Sequence, residues 1–207
     1  MSPKHFLNYE GFSKEFIISI IDRGLELKSL DQLPKSLENK SLGLIFEKPS
    51  TRTRVSFEIG IQKLGGNSIF LSSSDLQMSR GEPISDTAKV LSSMLDAVVI
   101  RTTNHELLEI FSKNSSIPVI NGLSDLYHPC QILADLMTFK EFQGNLDISK
   151  VAWIGDSNNV CNKSCSQIKR HKIKALFIWL GEPLYFSKSQ TNPLYGLLKL
   201  SLIHISE

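Results

Sequence analysis

The sequence predicts an α/β fold, a parallel sheet flanked by helices, with one complete domain over 1–144 and the start of a second α/β domain over 145–207. Three observations carry this. Short apolar runs of strand length alternate with longer stretches of helical period, and parallel crossovers require such helix-length connections. The 207 residues are 41% hydrophobic and 21% charged, the balance of an ordinary globular chain able to bury a core. Gly144 to Lys150 breaks the pattern as a linker before the apolar run Val151–Ile154 opens a fresh strand-to-helix unit.

Taken in order, Ser13 to Leu30 sets Phe16, Ile17, Ile20, Ile21 and Leu25 on one helical stripe, with Ser13 placed to cap it. Leu42–Phe46 is a strand. Thr51–Leu64 follows as a helix carrying Val55, Ile59 and Leu64, and Gly65-Gly66 stops it. The unit recurs as a strand at Ser68–Leu71, a polar loop to Pro83 and a helix holding Ala88, Val90, Leu91 and Leu95. It recurs again as Ala97–Ile100 with a helix over Asn104–Phe111, and as Val119-Ile120 with a helix over Pro129–Phe142.

Composition excludes several classes of function. The net charge of +2 makes no field suited to nucleic acid or an anionic membrane, so an anion site has to be local. No apolar run reaches the roughly 18 residues of a spanning helix, and Met1 to Glu10 has no signal-peptide pattern. Three cysteines, Cys130, Cys161 and Cys165, form no even disulfide framework, which fits a cytoplasmic protein.

In an open parallel sheet, ligands bind beyond the carboxyl ends of the strands, where helix N-termini present free N–H groups. Pro49-Ser50-Thr51-Arg52-Thr53-Arg54 follows a strand and starts a helix, bringing hydroxyls, backbone donors and a guanidinium to one place. That is a phosphate cradle. Arg101 follows the next strand end but one, and His128-Pro129-Cys130-Gln131 opens the helix after the fourth. Each piece alone has a plainer explanation, a helix cap or a solvated charge. Their shared position at strand ends points to an anion site, and the spacing does not name its ligand.

The run Phe46 to Glu58 (FEKPSTRTRVSFE) closely resembles the carbamoyl-phosphate signature of the aspartate/ornithine carbamoyltransferase family. Ser72 to Pro83, Ile100-Arg101-Thr102, Asn121 to Leu126 leading into His128-Pro129-Cys130-Gln131, and Trp153 to Asn159 resemble its ornithine branch. Arg80 stands where aspartate enzymes usually carry Lys. The resemblance covers roughly residues 1 to 161. It implies that Ser50, Thr51, Arg52 and Thr53 hold the phosphate of carbamoyl phosphate. It further implies that Arg101, His128 and Gln131, with Pro129 and Cys130 lining the site, take the carbamoyl part. Arg52, Arg101 and His128 are the implied catalytic residues. Gln77 would reach a neighbouring subunit's site in a homotrimer, and Asn159 would contact L-ornithine. The implied reaction gives L-citrulline and phosphate in arginine biosynthesis and the urea cycle, with no cofactor and no metal. An aspartate carbamoyltransferase and a non-catalytic carbamoyl-phosphate-binding module stand as alternatives.

Cys130 reads as a thiol lining the site rather than a nucleophile, since no base is implied beside it. Cys161 and Cys165 supply two of the four ligands of a zinc site and have no matching pair. Ile154-Gly155-Asp156 lacks the further glycines of a dinucleotide turn. His105 and His171, in helical charged contexts, are expected at the surface. Beyond Asn162 the sequence matches none of the family's ornithine-binding segments, which predicts a C-terminally truncated and inactive fragment. Read back into DNA, Leu200 to Glu207 (LSLIHISE) resembles a transposon-end sequencing adapter. The expectation is therefore a tail that is not biological, preceded by frameshifted residues.

Overall fold

The computed structural model describes residues 5–72, 76, 81–144, 150–155 and 174–179. Five helices, α1 (Lys14–Ser29), α2 (Thr51–Lys63), α3 (Ile84–Ser92), α4 (His105–Lys113) and α5 (Pro129–Gln143), alternate with β1 (Ser41–Phe46), β2 (Asn67–Ser72), β3 (Ala97–Arg101) and β4 (Val119–Leu123). These strands make one parallel sheet in the order β2-β1-β3-β4. Two further strands, β5 (Lys150–Gly155) and β6 (Lys174–Trp179), pair in parallel with each other. β5 falls on the apolar run Val151–Ile154 that predicts a strand, and β6 has no counterpart among the predicted elements. The proposed boundary at Gly144 falls where α5 ends: this glycine takes φ +78°, a left-handed conformation that suits a helix stop. Gln77, Asn159, Cys161, Cys165, His171 and the tail from Leu200 lie outside the described residues.

Strand alternation divides the core. Ile45, Val98 and Ile100 face Leu107, Leu108 and Phe111 of α4 and Ala88 of α3. Leu42, Leu44, Phe46 and Val99 face Ile61 of α2. A third cluster joins Ile17 and Ile21 of α1 to Ile132 and Leu136 of α5, with Tyr9 between them. Ser13 caps α1 as expected, its hydroxyl accepting from the Phe16 N–H at 3.2 Å.

Two readings need correction. The inward side of α2 is Phe57 and Ile61, whereas Val55 and Ile59 stand 49% and 43% exposed. Both pairs are four apart, so helical period alone cannot choose the buried one. The other concerns β4, which runs past Ile120 to Leu123. Register with β3 slips by one there, Ile100 pairing with Asn121 and Arg101 with Leu123, which leaves Gly122 as the extra residue. A Cβ on Gly122 would lie 2.9 Å from Val99 Cγ1, so the bulge admits only glycine without local movement.

The strand order places the site. The chain leaves β1 for β2 on one side, then returns to β3 on the other, so the ends of β1 and β3 flank a topological switch point. Phe46 and Arg101 are register partners at that edge.

Candidate active site

The loop after β1 and the end of β3 are tied together at the switch point. The Glu47 N–H donates to the Arg101 carbonyl at 2.9 Å, and the Glu47 carboxylate accepts from the Thr102 hydroxyl at 2.6 Å and the Thr103 N–H at 3.0 Å. Glu47 therefore fixes where α2 begins relative to Arg101. Glu47 lies within the signature run, and nothing in the local sequence marks this tie.

At the start of α2, Ser50 occupies the N-cap position in extended conformation, yet its hydroxyl makes no cap hydrogen bond. The ordinary reason for Ser at a helix start is thus absent. The first-turn N–H groups have no carbonyl partner within the helix, and the helix dipole adds partial positive charge there. Thr51 and Arg52 are exposed in this turn and Thr53 is half-buried.

Arg101 donates from Nη1 to the Thr53 hydroxyl at 3.2 Å, which links the end of β3 to the first turn of α2. Its Nε is buried without a partner, and among the described residues it forms no ion pair. Burial pushes its pKa below the usual guanidinium range, though the group stays charged. A partly buried cation with no carboxylate is chemistry that takes an anion.

His128 sits at the N-cap of α5, with Pro129 in the first helical turn. Burial, and then the charge of Arg101, lower its pKa from 6.5 to about 4, so the ring is neutral at physiological pH. Its Nδ1 is buried without a partner. Cys130 donates from Sγ to the Asn121 carbonyl at 3.4 Å, and burial pushes its thiol up to about 12. A thiol that stays protonated is no nucleophile.

The structure thus brings Thr53, Arg101 and His128 together and places Ser50, Thr51 and Arg52 on the adjoining helix turn. Gln131 donates from Nε2 to Asp135 one turn along α5 at 2.9 Å. His105 is corrected from surface to core. It is 5% exposed, its Nδ1 lies 2.9 Å from the Ser124 hydroxyl, and its ring meets Tyr127 edge-on. Its backbone N–H donates to the Asp125 carboxylate at 2.9 Å, so the first residue of α4 is packed against the turn that leads to His128. Charged neighbours in sequence carried no sign of this tertiary contact.

Among the described residues, no group of three or more His, Cys, Asp or Glu could hold a metal ion, and no helix is long and apolar enough to cross a membrane.

Comparison with known proteins agrees with the geometry. Residues 4–141 match the family described as aspartate/ornithine carbamoyltransferase, carbamoyl-P binding domain. The ornithine carbamoyltransferase of Hydrogenovibrio crunogenus is 48% identical over 177 residues, covering 84% of this chain and 59% of the relative. The anabolic ornithine carbamoyltransferase of Pseudomonas aeruginosa is 54% identical over 165 residues, 78% of this chain and 54% of the relative. Among solved structures, ornithine carbamoyltransferase from Pyrococcus furiosus superposes with a TM-score of 0.79 at 39% identity, covering 86% of this chain and 58% of that one. The Thermus thermophilus enzyme gives 0.81 at 33% identity, covering 98% and 68%. The chain spans a little over half the length of the curated relatives it matches. With its α/β fold, its signature run and its strand-end site in agreement, the chain belongs to the aspartate/ornithine carbamoyltransferase family.

Proposed function

We propose that the site binds carbamoyl phosphate and that the protein transfers its carbamoyl group to the side-chain amine of L-ornithine, giving L-citrulline and phosphate. One observation carries the reading: the Arg101 guanidinium, with no carboxylate partner among the described residues, donates to the Thr53 hydroxyl at the uncapped start of α2, and its charge acts on a neutral His128. An anion and a carbonyl oxygen are the two acceptors that such a set satisfies together. The names of the relatives favour ornithine over aspartate as acceptor.

In this reading the backbone N–H groups and hydroxyls of Ser50, Thr51 and Thr53, with Arg52, hold the phosphate. Arg101 and the single N–H of neutral His128 meet the carbonyl oxygen, and the Gln131 amide swings from Asp135 to accept from the carbamoyl NH2. A neutral amine attacks the carbamoyl carbon, the new C–N bond forms, the bond to phosphate oxygen breaks, and the amine releases a proton. Negative charge grows first on the carbonyl oxygen and then on the leaving phosphate. Donors fixed before reaction stabilise that charge without reorganising. Holding amine and carbon in attack geometry lowers the barrier further. Pro129 and Cys130 line the pocket, Asn159 contacts ornithine, and no cofactor enters the chemistry.

The proposal extends to a cytoplasmic homotrimer serving arginine biosynthesis, with Gln77 completing a neighbour's site. Support for self-association comes from β2, an edge strand with Ile69 50% exposed, and from the half-exposed Val55 and Ile59 on α2. The word anabolic in the name of the Pseudomonas aeruginosa relative supports the biosynthetic direction.

Thermal unfolding with and without carbamoyl phosphate tests the binding step. At a hundredfold excess over Kd, stabilisation of about 2.7 kcal/mol is expected, and Arg52→Ala should abolish most of it. No stabilisation of the parent chain, or an unchanged shift in the variant, would remove the phosphate assignment. Citrulline formation with ornithine, measured beside carbamoylation of aspartate, separates the two acceptors, and binding without either product identifies a non-catalytic module.

A further inference from the structure

The residues read as carbamoyl ligands, His128 and Gln131, both hang on the crossover from β4 into α5, and that crossover is gripped by a segment far away in sequence. Phe6 lies alongside β4 as a further parallel bridge: its N–H donates to the Val119 carbonyl at 2.8 Å and its carbonyl accepts from the Asn121 N–H at 2.9 Å. The wholly buried Asn121 side chain then reaches two ways. Its Nδ2 donates to the Leu7 carbonyl at 2.9 Å and to the Ser124 hydroxyl at 3.3 Å, on the turn before His128. Beyond that turn, the Tyr9 hydroxyl donates to the Pro129 carbonyl at 2.7 Å, and Tyr9 is 2% exposed.

The segment from His5 to Tyr9 therefore holds the crossover before and after His128. By contrast, the phosphate end of the site is the first turn of α2, held to the end of β3 through Thr53 and Glu47, with no bond to this segment among those described. We propose that Tyr9 and Asn121 are positioning residues for the carbamoyl end of the site: through Pro129 and Ser124 they set where His128 and Gln131 stand relative to Arg101. The inference rests on the carbamoyl-phosphate reading above and divides the site into two separately supported halves.

That division makes the test selective. Titration calorimetry on the full chain compares carbamoyl phosphate with inorganic phosphate for the parent and for Tyr9→Phe, which removes one hydroxyl and keeps the ring. Loss of one buried hydrogen bond to a ligand-bearing turn should weaken carbamoyl phosphate about tenfold, while inorganic phosphate stays within about twofold. Asn121→Ser, if it folds, should show the same split. Equal weakening of both ligands, or a lowered melting temperature with neither affinity changed, would reduce Tyr9 to a stability role and overturn the proposal. A parent chain that binds phosphate but not carbamoyl phosphate would instead refute the functional reading. In that case the His128 imidazole signals decide: a changed titration in Tyr9→Phe upholds the positioning, and identical curves overturn it.

Discussion

His128 offers the most quantitative check on the site. Burial and the nearby Arg101 charge hold its imidazole neutral down to about pH 4, while in the unfolded chain it titrates near 6.5. As pH falls from 7, the unfolded chain takes up this proton first, so the contribution is fully present above 6.5 and is lost on the way down to 4. Integrating the difference gives a loss of about 2 kcal/mol by pH 5 and about 3 kcal/mol by pH 4. Urea unfolding at pH 7, 6 and 5 on the parent and on His128→Gln reads this as a difference, because the variant lacks the titrating ring. His5, whose pKa burial also lowers, is common to both and cancels. In Arg101→Met the His128 pKa should rise while staying below 6.5, since burial is the larger of its two causes. Parallel stability profiles between pH 7 and 5, or a His128 resonance titrating near 6.5, would refute the placement of this ring beside Arg101.

Thr53→Val removes the acceptor of the Arg101 hydrogen bond and should weaken phosphate and carbamoyl phosphate alike, by about tenfold in calorimetry. Phe111→Ala opens the core beneath α4, where the ring is 0% exposed, and should lower unfolding free energy by about 3 to 5 kcal/mol in urea titration. Cys130 should resist iodoacetamide at pH 8 in the folded protein and react in urea. Peptide mass spectrometry gives the fraction modified, and rapid labelling of the folded chain would contradict the raised thiol pKa.

Much of the candidate site's placement was legible because its parts lie at strand ends, and strand ends are readable from apolar runs followed by helical period. Arg101 and His128 were found that way, and the meeting of Arg101 with Thr53 follows from two strands that are neighbours in the sheet. What escaped is tertiary. Period 3.6 fits Val55 and Ile59 as well as Phe57 and Ile61, and only the position of the sheet selects the second pair. Asn121-Gly122 has the composition of a turn, yet a bulge absorbs the glycine and the strand continues. His105 sits among charged residues in sequence but faces Ser124 and Tyr127 in space. Tyr9 acts on a carbonyl 120 residues away, a distance no local pattern spans.

These escaped residues explain how the site can leave polar groups without partners. An uncapped helix start, a guanidinium with no carboxylate and an imidazole nitrogen with no partner each lower stability in the free protein. They come from three different strand ends, so nothing local compensates them, and the surrounding bonds of Glu47, Asn121 and Tyr9 must hold them in place. A ligand that offers an anion and a carbonyl oxygen at the right separation satisfies all three at once. Binding and stability are then linked through the same atoms. Inorganic phosphate, which meets only the α2 donors, should therefore stabilise the chain less than carbamoyl phosphate does when each is present at the same concentration. If the two stabilise it equally when each is present at the same concentration, His128 contributes nothing to recognition and the carbamoyl half of the assignment fails.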